Sequence, residues 1–318
     1  MDNASNLLIK FSQKLFQDST DQAKFIDALI HPQPFQPCIL WCQPRPDPLP
    51  FLIEPPLAWQ PTFVDRLALT EKPGQHFLHD QGYFYCLDFS SVFAVSILLT
   101  LSTSVNLIFD MCAAPGGKSI FAWVALHPEL LLCNEVIGKR IGALVSNLKR
   151  CRVEKTIALS LDSSILAEEI PDTADLVLVD APCTGQSLLA KGIKNPGCFH
   201  PVSINKNANR QKRILANSAQ LVAPNGYLAY MTCAYSPEEN EQVSEWFLER
   251  FPQFMPIAIP HLEPYQSHLT DLPCYRIFPQ TRLGAGAFTI LFKNVEEDLS
   301  IQKSLSPDFL QRPRLIVL

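Results

Sequence analysis

The chain has 318 residues, 47% of them hydrophobic and 18% charged; this describes a soluble globular protein with room for one large domain and a smaller one. Its ten cysteines follow no regular spacing, and the start Met1-Asp2-Asn3-Ala4 has neither a basic n-region nor an apolar h-region, so reduced cytoplasmic thiols are expected rather than a disulfide framework. The longest apolar run, Val92 to Leu101, is interrupted by Ser96 and Thr100 and falls short of a membrane span, while a net charge of -5 disfavours a uniformly basic nucleic-acid binder.

In chain order, Ala4 to Phe16 and Thr20 to Ile30 carry apolar residues at helical spacing, with Ser19 or Thr20 as N-cap. Ten prolines between Pro32 and Pro61 forbid continuous helix and disfavour central strands. The same segment holds Phe35, Ile39, Leu40, Trp41, Phe51, Leu52, Ile53 and Trp59, too apolar to stay solvated, so an ordered but irregular subdomain is expected. From Val105 onward short apolar runs alternate with helical stretches, the signature of βαβ units and a parallel sheet. The expected strands are Val105 to Asp110, Leu130 to Glu135, Thr156 to Ser160, Asp175 to Asp180, Tyr227 to Thr232 and Ala287 to Phe292. An open sheet binds ligands outside the carboxyl ends of its strands, so site residues are expected there.

The first such loop is Asp110-Met111-Cys112-Ala113-Ala114-Pro115-Gly116-Gly117-Lys118-Ser119. Small residues let its backbone approach a ligand, and the amides at the following helix start favour an anionic group such as a carboxylate. It is not a phosphate P-loop, because the spacing Gly-x-x-x-x-Gly-Lys-Ser is absent. Glu135, at the end of the second strand, is placed to accept hydrogen bonds from a ribose diol; a nucleoside without a pyrophosphate fits best. Two later strands lead into cysteines: Asp180-Ala181-Pro182-Cys183-Thr184-Gly185 and Met231-Thr232-Cys233-Ala234-Tyr235-Ser236. Between Asp180 and Glu238 there is no acidic residue, while Lys191, Lys194, Lys206, Arg210, Lys212 and Arg213 fall there, so the active face is expected to be basic. A second cluster, Lys139, Arg140, Lys149, Arg150, Arg152 and Lys155, is either part of that face or a solvated helix surface.

These motifs, with Ser236-Pro237-Glu238-Glu239-Asn240-Glu241 and the connecting Gln211 to Leu215 helix, resemble the RsmB/Nop2/Sun family of RNA cytosine-C5 methyltransferases over roughly Gly74 to Phe292. The resemblance implies a class I, Rossmann-like α/β fold with a mostly parallel seven-stranded sheet at 101–295, a small helical and irregular N-terminal RNA-recognition subdomain at 1–100 and a tail at 296–318. It implies S-adenosylmethionine as cofactor, its methionine end at Cys112, Ala113, Ala114, Pro115, Gly116, Gly117 and Lys118, its ribose at Glu135, its adenine side at Asp162, and Asp180 near the reacting centre. C5 of cytosine is a poor nucleophile, so a thiolate must first add to C6. By resemblance that thiolate is Cys233 and Cys183 resolves the adduct; the chemistry would further have Asp180 hydrogen-bond the exocyclic amine or a protonated N3 and Lys118 help hold the base. The substrate would be ribosomal or transfer RNA and the protein a cytoplasmic monomer.

Several readings stay open. Asp162 equally suits a helix N-cap, and Ser236 with Glu239 suits a capping box. The remaining cysteines, Cys38 and Cys42 included, read as structural; neither a metal site nor a membrane partner is expected. Where the family shows a glutamine, this chain has Leu87. Its Thr232-Cys233-Ala234 replaces Thr-Cys-Ser, and Gly286-Ala287-Phe288 replaces Gly-Phe-Phe. An RNA-binding assembly factor that keeps the fold with little turnover is the alternative function, and methylation of an exocyclic amine would leave one cysteine without purpose.

Overall fold

A computed structural model describes residues 4–296, 304–312 and 315–318. The N-terminal part contains α1 (Asn6–Leu15) and α2 (Ser19–Ile30), followed by β1 (Cys38–Trp41), β2 (Val64–Arg66), α3 (Phe77–Asp80), β3 (Phe84–Leu87) and α4 (Phe89–Val95). The second helix is capped by Asp18, not by Ser19 or Thr20: its carboxylate accepts from the amides of Thr20 (2.8 Å) and Asp21 (3.0 Å). Ser19 is already the first helical residue. The proline-rich stretch is more regular than its composition implies, because β1 pairs antiparallel with both β2 and β3 in a three-stranded sheet. The prolines fall outside β1, and Ile39, Trp41, Phe51, Leu67, Leu78 and Phe84 form its small core.

The following elements are β4 (Leu107–Asp110), α5 (Gly117–Leu126), β5 (Leu130–Asn134), α6 (Gly138–Arg150), β6 (Thr156–Leu159), α7 (Ser163–Glu169), β7 (Ala174–Asp180), α8 (Pro201–Ala219) and β8 (Val222–Thr232). They continue with α9 (Glu241–Arg250), β9 (Phe254–Pro256), β10 (Tyr275–Ile277), β11 (Ala287–Asn294), α10 (Pro307–Leu310) and β12 (Ile316–Val317). A seven-stranded path runs β6-β5-β4-β7-β8-β11-β10, extended at one edge by β12 and beside β11 by β9. The strands from β6 to β8 pair in parallel and β11 runs against them, which is the mostly parallel α/β sheet the sequence implies. The tail expected at 296–318 falls partly outside the described residues; β12 pairs with the edge strand β6.

Alternate residues of each central strand face opposite layers. Ile108, Leu131, Leu176, Leu178 and Ala229 pack with Ile120, Phe121, Leu144 and Leu148 of α5 and α6. Phe109, Leu132, Val177, Val179 and Tyr230 pack with Leu166, Leu215 and Phe247 of α7, α8 and α9. The α1–α2 hairpin lies across the sheet's C-terminal edge, where Phe25 meets Tyr235 edge-on at 5.2 Å between ring centroids. Strand order reverses between β5-β4 and β4-β7, so a crevice opens at that switch point.

Candidate active site

The β4–α5 loop is tied to both neighbouring strands. Met111 N–H donates to Leu178 O (2.9 Å) and Ala113 N–H to Asn134 O (2.8 Å). Asn134 donates to Met111 O (3.3 Å) and Leu161 O (3.0 Å) while accepting from Leu161 N–H (2.9 Å). Asp110, fully buried beneath the loop, accepts from Ser119 Oγ at 2.6 Å; burial pushes its carboxyl up to about 7. Gly116 has φ +112° at the start of α5, a backbone that disfavours any side chain.

Above this loop lies an open cleft of about 990 Å³, solvent at its mouth included, lined by Cys112, Ala114, Glu135, Asp162, Asp180, Cys183 and Cys233. Ala113, Pro115, Gly117 and Lys118 line a second chamber, which shares Cys112 and Asp180 with the cleft and reaches Tyr85, Leu87 and Asp88. Gly116 lines neither. Asp162 caps α7 through Ser164 N–H (3.0 Å) and Ser164 Oγ (2.9 Å) and lines the cleft. The Ser164 bonds hold its carboxyl below the usual range.

Glu135 is buried, its Oε1 accepting from Ile137 N–H at 2.8 Å. Its Oε2 sits 3.0 Å from Arg140 as an ion pair but accepts no hydrogen bond. A buried carboxylate oxygen with acceptor capacity to spare fits a ribose hydroxyl.

The two thiols end adjacent strands. Asp180 of β7 is registered with Met231 of β8, so the loops that follow run side by side and set Cys183 Sγ 3.2 Å from Cys233 Sγ. Cys233 opens on the cleft although protein surrounds it closely, whereas Cys183 is more enclosed. The hydrogen bond from Cys183 is the largest influence on Cys233; burial and Asp180 work against it, Ser187 and Lys118 with it, and the thiol is pulled down to about 7. The same bond and burial push Cys183 well above the ordinary thiol range. Lys118 Nζ donates to Asp180 at 2.6 Å. Burial opposes the charge on Lys118, but Asp180 prevails and raises its pKa.

Sequence reasoning missed the frame behind the thiols. Glu239 is buried and accepts from Thr184 N–H (2.8 Å), Thr184 Oγ1 (2.5 Å), Ser236 Oγ (2.6 Å) and Gln211 Nε2 (3.1 Å), so it ties the Cys183 loop to the Cys233 loop. The expected capping box does not form, because Ser236 N–H donates instead to Gln186 Oε1 at 3.1 Å. Asn240 accepts from Thr232 Oγ1 (2.6 Å) and donates to Ala234 O (2.9 Å), bracketing Cys233. The Ser-Pro-Glu-Glu-Asn run was the available signal. Of the two basic clusters, Arg140, Arg210 and Arg213 face the cleft, while Arg150 turns away to donate to His79 O (2.7 Å) and Phe84 O (3.2 Å). Among the described residues no group of three or more His, Cys, Asp or Glu is placed to hold a metal ion, and no helix is long and apolar enough to cross a membrane.

Fold and site together define a class I methyltransferase architecture with paired cysteines at the switch-point crevice. The model of the 16S rRNA methyltransferase RsmB/F family matches residues 97–293, and the chain belongs to that family. Similar curated proteins are the ribosomal RNA small subunit methyltransferases F of Pectobacterium carotovorum, 30% identical over 175 residues (55% of this chain, 36% of that protein), and of Escherichia coli O17:K52:H18, 30% identical over 210 residues (64% of this chain, 43% of that protein). The match thus spans less than half of those relatives. Two solved structures share the fold: a methyltransferase homolog from Pyrococcus horikoshii (TM-score 0.73, 21% identity, covering 92% of this chain and 96% of that one) and NSun6 from P. horikoshii with SFG (TM-score 0.69, 18% identity, covering 92% and 99%).

Proposed function

We propose that the chain is an S-adenosylmethionine-dependent RNA methyltransferase that forms 5-methylcytosine in ribosomal or transfer RNA through a covalent bond from Cys233 to C6. The observation that carries this is the thiol pair: Cys233, its pKa drawn down to about 7, 3.2 Å from a partner thiol and beside the Lys118–Asp180 pair. A methylation of an exocyclic amine needs no such pair. The relatives' name as rRNA methyltransferases supports an RNA substrate.

The unsatisfied Glu135 oxygen and the capped Asp162 suit the ribose and adenine side of the cofactor, and the small-residue loop from Cys112 to Lys118 suits its amino-acid end. When bound, the cofactor supplies an electrophilic methyl on sulfur. Cys233 thiolate adds to C6 and the electron pair moves to C5, which takes the methyl. Loss of the C5 proton to a base then returns the pair to C6 and expels the Cys233 thiolate. Asp180, held by Lys118, would accept from the exocyclic amine or a protonated N3. Cys183, within hydrogen-bonding distance of Cys233 Sγ, would assist release of the adduct.

The test is transfer of labelled methyl from S-adenosylmethionine into undermodified total RNA, with nucleosides analysed after digestion. 5-Methylcytidine is expected from the unmodified chain and none from Cys233→Ala, which still binds cofactor; label in another nucleoside, or turnover by Cys233→Ala, overturns the reading. Cofactor binding without transfer to any RNA favours the assembly-factor alternative.

A further inference from the structure

Beyond the second chamber the surface continues into a groove formed by the connector after α2, the end of β3 and the turn after the Cys183 loop. Leu87, Asp88 and Lys191 line both chamber and groove, so the two openings adjoin. Phe35 lines the far side, half-buried. Arg282 holds that ring, its guanidinium 5.9 Å from the centroid and its Nη2 donating to Pro34 O at 3.4 Å. The one carboxylate in the lining, Asp88, is neutralised by Lys191 at 2.7 Å. Arg66, behind the connector, donates among the described residues to uncharged oxygens, Gln36 Oε1 (3.1 Å) and Pro55 O (2.7 Å).

Arg282 and Arg66 line not the groove itself but a small recess that shares Phe35, Gln36 and Phe89 with it; an aromatic platform and an apolar floor with guanidinium groups close behind are the parts of a single-strand nucleotide site, where the base stacks and the phosphate meets a cation. Leu87 matters because it stands at the junction. A side chain without donors or acceptors reads no base edge, so it suits contact with the face of any base.

We infer that this groove receives the nucleotide adjoining the target cytosine, its base against Phe35 and Leu87 and its phosphate toward Arg282. The inference rests on the RNA reading above. Recognition there is by stacking, so the identity of the neighbouring base is weakly discriminated.

The experiment measures binding of fluorescein-labelled oligocytidylate by anisotropy for the unmodified chain, Phe35→Ala, Phe35→Leu and Phe35→Trp, with affinity for S-adenosylmethionine as the check on folding. Loss of one stacked base weakens binding about tenfold; that is expected for Phe35→Ala and for Phe35→Leu, which keeps apolar volume, while Phe35→Trp retains affinity. In labelled-methyl transfer the loss is expected in KM for RNA and not in kcat. Unchanged oligocytidylate affinity and KM in Phe35→Leu overturn the groove assignment while leaving the RNA reading intact. Failure of the unmodified chain both to bind oligocytidylate and to methylate RNA overturns both.

Discussion

Cys233 owes its character to what stands around it more than to its own position. A thiol pulled down to about 7 is about half thiolate at neutral pH, and the thiolate is the nucleophilic form. The largest contribution comes from Cys183, so Cys183→Ala should move the pH profile of Cys233 alkylation by iodoacetamide toward the ordinary thiol range, and Lys118→Met should move it the same way by less; a profile unchanged in both would sink this account. With a proven substrate, Cys183→Ala should also let a protein–RNA adduct accumulate on a denaturing gel. Asp110 has the opposite sign. Its folded-state pKa of about 7 lies above the ordinary 3.8, so the folded protein holds this proton where the unfolded chain has released it, and stability declines from about pH 4 to about pH 7. Asp110→Asn, neutral throughout, should flatten that slope, seen as a melting temperature that gains on the unmodified chain as pH rises through this window. The acidic strand ends, both cysteines and Lys118 were readable one by one because each sits in a short motif. The bonds of Glu239 to Thr184 and Gln211 were not, since they join segments far apart in the chain, and those of Asn240 to Thr232 and Ala234 depend on how the chain turns after β8.

At the level of elements, the loops that carry chemistry are held from behind. Asn240→Ala would free both Thr232 and Ala234, at about 1–3 kcal/mol for the buried groups left unpaired, and should lower kcat for methyl transfer more than it lowers cofactor affinity. A second joint is Gly82, with φ +76°, where a Cβ would stand 1.6 Å from Arg150 O. Gly82→Ala must displace β3 from α6, and a loss of at least about 2 kcal/mol is expected in denaturant unfolding. The strands around the site were visible as apolar runs ending in polar loops. β1 was hidden because proline density outweighed four apolar residues, β12 because two residues show no period, and the α2 cap because Asp18 precedes two equally plausible hydroxyls.

Across the whole molecule, the α1–α2 hairpin is bolted to the catalytic face by Phe25, fully buried among Phe11, Phe16, Tyr235 and Phe278. Phe25→Ala should cost about 3–5 kcal/mol and, because Tyr235 stands two residues from Cys233, should reduce turnover even where the protein remains folded; equal activity per folded molecule would show the hairpin to be merely attached. The overall architecture was legible because alternation of short apolar runs with helices admits few topologies. The hairpin's seat over the sheet edge was not, since an amphipathic face declares that it is buried without declaring against what. One consequence follows from the wall between the two chambers. Cys112 and Asp180 belong to both, so a ligand that reorients Asp180 from one side alters what the other side meets. Thermodynamic reciprocity then requires that whatever factor the first occupant adds to the second's affinity is returned to it in full, and the chain would sense the occupants of the two chambers jointly, through one carboxylate.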